Sequence, residues 1–87
     1  MRMYELTPNT AQKSFYGKAT VCEDANGCTL YSYNTAVAAI NTEGELVRLW
    51  NSWSATTAKH IRAFCEAYGL PVINKAAWDK MPVANEA

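Results

Sequence analysis

The stretch from Trp53 to Gly69 restricts the fold more than any other part of this sequence. It reads as one amphipathic helix with both ends marked. Ser54 stands where a side-chain oxygen accepts an orphan amide of the first turn. Gly69 stands where a left-handed residue closes the last turn, with Pro71 just beyond it. Between them Ile61, Phe64, Cys65 and Tyr68 recur at i, i+3, i+4 and i+7, with Thr57 one turn earlier. Lys59, Arg62 and Glu66 take the opposite face, and Thr56, His60, Ala63 and Ala67 form the flank. One apolar stripe has to be buried against something. No second helix of similar length is in sight, so the partner must be a sheet.

Strand signals precede the helix at close intervals. Met1 to Leu6 is a short edge-strand candidate, and Thr7-Pro8-Asn9-Thr10 is turn chemistry. Lys13 to Glu23 alternates, with Phe15, Gly17, Ala19 and Val21 on one side and Tyr16, Lys18, Thr20 and Cys22 on the other. Asn26-Gly27 is a hairpin signal; a tight turn there sets Cys22 opposite Tyr31 and Thr20 opposite Tyr33. The return strand is Cys28 to Tyr33. Asn34-Thr35 turns the chain into a strand from Ala36 to Asn41. Glu43-Gly44 leads through a second hairpin into Glu45 to Trp50. Pairing across that hairpin puts Ala38, Ile40, Val47 and Leu49 on one face and Val37, Leu46, Arg48 and Trp50 on the other. After the helix, Leu70 to Ile73 is an extended connector. Asn74 caps a short helix over Lys75 to Lys80 that Pro82 stops, with Trp78 as its anchor, and Ala84 to Ala87 are expected to fray. The expectation is an α+β fold in a single domain over 1–87: an antiparallel meander of four to five strands, one long helix on one face, and a short C-terminal helix.

The 87 residues leave room for one domain. Net charge is zero, so no global field draws in nucleic acid or an anionic membrane. The charges are unevenly spread: Arg2, Lys13 and Lys18 stand against Glu5, Glu23, Asp24, Glu43 and Glu45 before Arg48, and the balance reverses after it. No window is long and apolar enough for a membrane span, and no signal-peptide layout opens the chain. A cytoplasmic location follows as the expectation. The three cysteines are an odd count, and Cys22, Cys28, His60 and Cys65 match no usual zinc spacing. Buried free thiols, no metal and no cofactor are expected.

Ser32-Tyr33-Asn34-Thr35-Ala36-Val37-Ala38 and Trp53-Ser54-Ala55-Thr56-Thr57-Ala58-Lys59-His60-Ile61 together resemble a small uncharacterised domain family of bacteria and their phages, with SYxTxVA and YSxTTxxHI motifs. Phe64 and Gly69 continue the likeness. So do Tyr4-Glu5-Leu6-Thr7-Pro8 and Lys13 to Ala19. Trp53 stands where that family more often has tyrosine. The resemblance implies a shared fold and a phage or mobile-element setting. It implies no reaction.

Two groups of residues are functional candidates. The helix start brings Ser54, Thr56, Thr57 and His60 close together. A hydroxyl beside an imidazole begins a nucleophile–base pair, yet no orienting carboxylate or oxyanion donor is visible. The structural alternative has Ser54 capping the helix and His60 bonding the sheet near Ser32 to Thr35. The isolated glycines form no phosphate loop. No catalytic residue is therefore assigned. The second group is Lys18, Tyr31, Tyr33, Arg48 and Trp50, expected together with Tyr16 and Thr20 on the sheet face away from the helix. The structural alternative is that the short C-terminal helix with Trp78, or the Tyr4 strand, covers this face. Tyr, Trp and Arg dominate protein-interface hot spots, and aromatics interleaved with cations also stack single-stranded bases. The expected function is a non-enzymatic binding protein acting on a protein partner, a second copy of the chain included. In the phage setting it would inhibit a host defence system such as a CRISPR nuclease. Single-stranded nucleic-acid or nucleotide binding is the alternative.

Overall fold

The computed structural model describes residues 2–6 and 18–84. Five strands pair in chain order as an antiparallel meander: β1 (Arg2–Glu5), β2 (Ala19–Asp24), β3 (Gly27–Ser32), β4 (Thr35–Ile40) and β5 (Leu46–Arg48). Two helices follow, α1 (Ala55–Ala67) and α2 (Lys75–Lys80). The α+β meander expected from the sequence is the observed fold. The turn at Thr7 to Thr10, the strand positions Lys13 to Gly17 and the tail Asn85 to Ala87 lie outside the described residues.

The ends of α1 are closed by local chemistry. Ser54 Oγ accepts the Thr57 amide at 3.1 Å. At the other end the Leu70 amide donates to the Cys65 carbonyl and the Gly69 amide to that of Glu66, with Gly69 at φ 71. This is a complete Schellman closure. The buried stripe is wider than the spacing of apolar residues implies: His60 and Ala63 from the flank join Thr57, Ile61, Phe64 and Cys65. The core they enter is built from Ala19, Val21, Leu30, Val37, Ala38 and Ile40, all on the same sheet face. Asn74 caps α2 by accepting the Ala77 amide at 2.9 Å, and Trp78 is fully buried, its indole donating to the Ser52 carbonyl. Ser54→Ala is expected to lower stability by about 1 kcal/mol through the lost cap, read as a shift in urea midpoint at constant slope.

Both hairpins depart from the expected pairing. In the first, Asp24 pairs with Gly27 around Ala25-Asn26, so Cys22 faces Thr29 and Thr20 faces Tyr31. The shift is two residues, and with a side-chain period of two every residue keeps its face. Asp24 Oδ1 accepts the Asn26 amide at 2.8 Å and holds the turn one step earlier.

The second shift has larger consequences. Asn41 Oδ1 accepts the amides of both Glu43 and Glu45 at 2.9 Å, and Gly44 sits at φ 82. The loop is therefore three residues long, Thr42 to Gly44, closed by the Asn41 amide on the Glu45 carbonyl. A left-handed residue at the third position is the usual form of such a loop. One extra loop residue turns β5 over. Arg48 pairs with Ala38 and Leu46 with Ile40 on the core face, while Val47 pairs with Ala39 on the opposite one. The expected faces of Val47, Leu46 and Arg48 are corrected accordingly. A bulge between Leu30 and Tyr31 shifts the β3–β4 register, and both Val37 and Ala38 are buried beside it. The tail is held up to Ala84, because Val83 bridges to Arg48 in parallel and the Ala84 amide donates to the Arg48 carbonyl at 2.7 Å.

Candidate functional site

Beneath the end of the β3–β4 hairpin three polar side chains meet in the core. Ser32 Oγ lies 2.8 Å from His60 Nδ1 and 3.0 Å from Thr57 Oγ1. All three residues are buried, His60 to 1% exposure. The segments Ser32 to Thr35 and Ser54 to His60 thus come together, with Ser54 capping α1 and His60 bonded to the sheet. Polar groups taken out of water must be paired, and this chain of hydroxyl, hydroxyl and imidazole does so. These bonds tie α1 to β3. Thr56 points outward and stands apart from the triad.

Burial holds the His60 imidazole below its ordinary titration range, and the Lys18 charge adds to the effect. The folded protein therefore favours neutral His60 more than the unfolded chain does. This contribution to stability is fully present above the unfolded value of 6.5. It is lost as pH falls from there through the lower folded value, because the unfolded state takes up the proton first. Urea denaturation of the wild type is expected to show declining stability below about pH 6.5. The part of that decline absent from His60→Gln belongs to this residue.

The sheet face turned away from the helices carries Met3, Glu5, Thr20, Cys22, Thr29, Tyr31, Ala36, Ala39 and Val47, as the paired registers dictate. At its hairpin end an open hollow of about 250 Å³ is lined by Met3, Thr20, Tyr31, Tyr33 and Asn34. Met3 and Tyr33 are 60% and 50% exposed. Lys18 Nζ stands 5.7 Å above the Tyr33 ring, and the His60 ring lies 6.0 Å away at a tilt. Of the five residues expected on this face, Lys18, Tyr31 and Tyr33 gather here.

Arg48 and Trp50 do not. Arg48 is 7% exposed on the core face; its Nε donates to the Trp50 carbonyl, and its Nη1 to the carbonyls of Trp78 and Met81. The guanidinium also stacks 5.3 Å over the Trp78 ring. Trp50 packs against the core cluster. Both lie away from the open face, and the physical reason is the extra loop residue that turns β5 over. Sequence reasoning missed Met3 and Asn34. Period-two alternation through β1 was the available signal for Met3, because Tyr4 and Leu6 on the core side leave Met3 on the other.

A third cluster ties the opposite end of the sheet. The Tyr68 hydroxyl donates to Glu23 Oε2 at 2.6 Å and lies 2.5 Å from the Tyr4 hydroxyl. Arg2 bridges to the other Glu23 oxygen at 3.0 Å and covers the Tyr4 ring. Desolvation, with the Glu23 carboxylate beside it, drives the Tyr68 phenol far above its usual range, so it stays a neutral donor. The three cysteines are free thiols, and burial pushes Cys28 and Cys65 upward. Among the described residues no group of His, Cys, Asp and Glu is arranged to hold a metal, and no helix is long and apolar enough to cross a membrane.

Comparison with known proteins adds one relationship. No curated protein and no solved structure matches the chain. One family model does, across residues 4–80, which takes in nearly the whole sheet and both helices. The chain belongs to the family of unknown function DUF8033.

Proposed function

We propose that this chain is a small non-enzymatic binding domain that engages a protein partner through the sheet face opposite its helices. The observation that carries the reading is the hollow between Met3, Tyr31 and Tyr33, two of whose lining residues are large, apolar and at least half exposed. Tyrosine and methionine are enriched at the centres of protein interfaces. The polar triad of Ser32, Thr57 and His60 is sealed inside, which favours a scaffold role for it over turnover. A cytoplasmic location and a phage or mobile-element setting, the latter implied by the resemblance, would make the partner a host protein. Inhibition of a host defence system such as a CRISPR nuclease is the consequence proposed there.

Single-stranded nucleic acid is the second reading, supported by Lys18 beside Tyr33 and by the amide of Asn34 on the same lip. Withdrawal of Arg48 and Trp50 from this face weakens it, because phosphate contacts need several cations. Thr29→Arg, at the centre of the open face, separates the readings. A purified partner that binds the wild type and is lost with Thr29→Arg supports the proposal. Partner binding indifferent to that charge overturns the choice of face. Oligonucleotide binding that weakens with salt transfers the assignment to nucleic acid.

A further inference from the structure

Tyr33 is the residue that the fold explains least. With Asn34 it forms the two-residue loop between β3 and β4, closed by the Ser32–Thr35 pair. Tyr33 sits at φ 60, whereas Asn34 is not among the residues of positive φ. A loop of this pattern prefers glycine at its first position. A bulky side chain there is a conformational outlier. The Tyr33 amide is spent on the Lys18 carbonyl at 2.6 Å, a bond that glycine would make equally well. The ring itself remains half in solvent at the lip of the hollow. Strain of this kind persists where the surroundings enforce it, and it clusters at working surfaces.

Resting on the protein-binding reading above, we propose that Tyr33 is the anchor of that face. The hollow beside it takes an aliphatic side chain from a partner segment that also carries a carboxylate for Lys18. The lining of Met3, Thr20, Tyr31, Tyr33 and Asn34 is uncharged, so a charged head group would enter it unpaired and at a desolvation cost. Met3 is unbranched and adapts to the shape of an apolar guest. Lys18 is exposed and stacked over the Tyr33 ring, which places a cation at the Tyr33 side of the rim, whereas Glu5 stands on the β1 side opposite Thr20. Beside Tyr33 the complementary charge is therefore negative. A tyrosine offering a rigid ring and a hydroxyl at the edge of a pocket has the chemistry of an interface hot spot.

The test is selection of a displayed library of random peptides against the purified full chain, with affinities then measured on variants. Enriched peptides are expected to place Leu, Ile or Met close to Asp or Glu. Tyr33→Gly and Tyr33→Asn, which both tolerate positive φ, are expected to weaken these peptides by about tenfold or more while raising Tm. Lys18→Gln is expected to abolish the preference for an acidic neighbour. The inference is overturned if Tyr33→Gly binds the peptides like the wild type, if its Tm falls, or if no peptide is enriched. It is equally overturned if a single-stranded oligonucleotide proves to be the ligand that Tyr33→Gly loses. Thr29→Arg keeps the two levels apart. Peptides lost with Thr29→Arg yet indifferent to Tyr33→Gly refute the anchor and leave the face standing. Indifference to both substitutions refutes the face as well.

Discussion

Replacing Arg48 with methionine is expected to destabilise the domain by about 3 kcal/mol or more, a large part of the roughly 5–10 kcal/mol available to a chain of this size. Methionine fills much of the same volume and leaves the apolar stem in place. It cannot donate to the carbonyls of Trp50, Trp78 and Met81; among the described residues only that of Trp78 keeps another donor, the Met81 amide. Charged hydrogen bonds contribute about 1.5–3 kcal/mol each, and an acceptor left buried and unpaired carries its full desolvation penalty. Arg48 also holds α2 through Trp78, whose ring it covers, and its own carbonyl receives the Ala84 amide. Loosening of α2 is therefore expected along with the fall in stability. Urea unfolding followed by tryptophan fluorescence reads both effects. Arg48→Lys keeps the charge but loses the planar fork, so it should fall between wild type and methionine. A methionine variant with an unchanged midpoint would show that these bonds contribute nothing net.

Gly27→Ala is expected to be comparably damaging, at about 3 kcal/mol or more, or to prevent folding. Two separate constraints meet at this position. Gly27 lies at φ 123, a backbone conformation that L side chains rarely adopt. A Cβ built there also collides with the Ile40 carbonyl oxygen and approaches the Asn41 Cα to 3.2 Å. Both obstacles are backbone atoms of the neighbouring strand end, so no rotamer change relieves them. Gly44 is an instructive control, because its φ is 82 but nothing lies within 4 Å of the position its Cβ would take. Gly44→Ala should then lose only the conformational preference, roughly 1 kcal/mol, and thermal melts of the two variants should differ accordingly.

Much of the architecture was legible because it rests on local rules. Ser54, Gly69, Asn74 and Pro82 mark where amides and carbonyls must find partners within a few residues, and the observed helix ends obey them. The order of β2 to β5 follows from strands separated by loops too short for a crossover, whereas the longer connection from β1 to β2 left the place of β1 to the structure. The His60 tie was partly legible too: a lone imidazole on the flank of an apolar stripe needs a partner, and Ser32 is a polar residue inside an apolar strand. Only the structure shows that Thr57 completes the chain and that the whole cluster is buried. The candidate face was half legible. Lys18 and Tyr31 lie where alternation puts them, whereas Tyr33 and Asn34 reach the hollow from the hairpin loop and Met3 joins it only once β1 is in place.

By itself the sequence determined the fold class, the caps, the faces of β2 and β3, and the site of the helix–sheet contact, since each depends on interactions between near neighbours or on period alone. The tertiary structure decided the side of the sheet on which β5 presents Arg48. Glu43-Gly44 permits loops of two or three residues, and the choice between them falls to the Asn41 side chain, which captures two amides of the longer loop. Burial of Arg48 is tolerated because carbonyls from Trp50 and from the C-terminal turn of α2 converge on it. Those acceptors come from segments up to 33 residues away. No local rule sums contributions over that distance, and one residue of register was enough to move a cation from the open sheet face into the core.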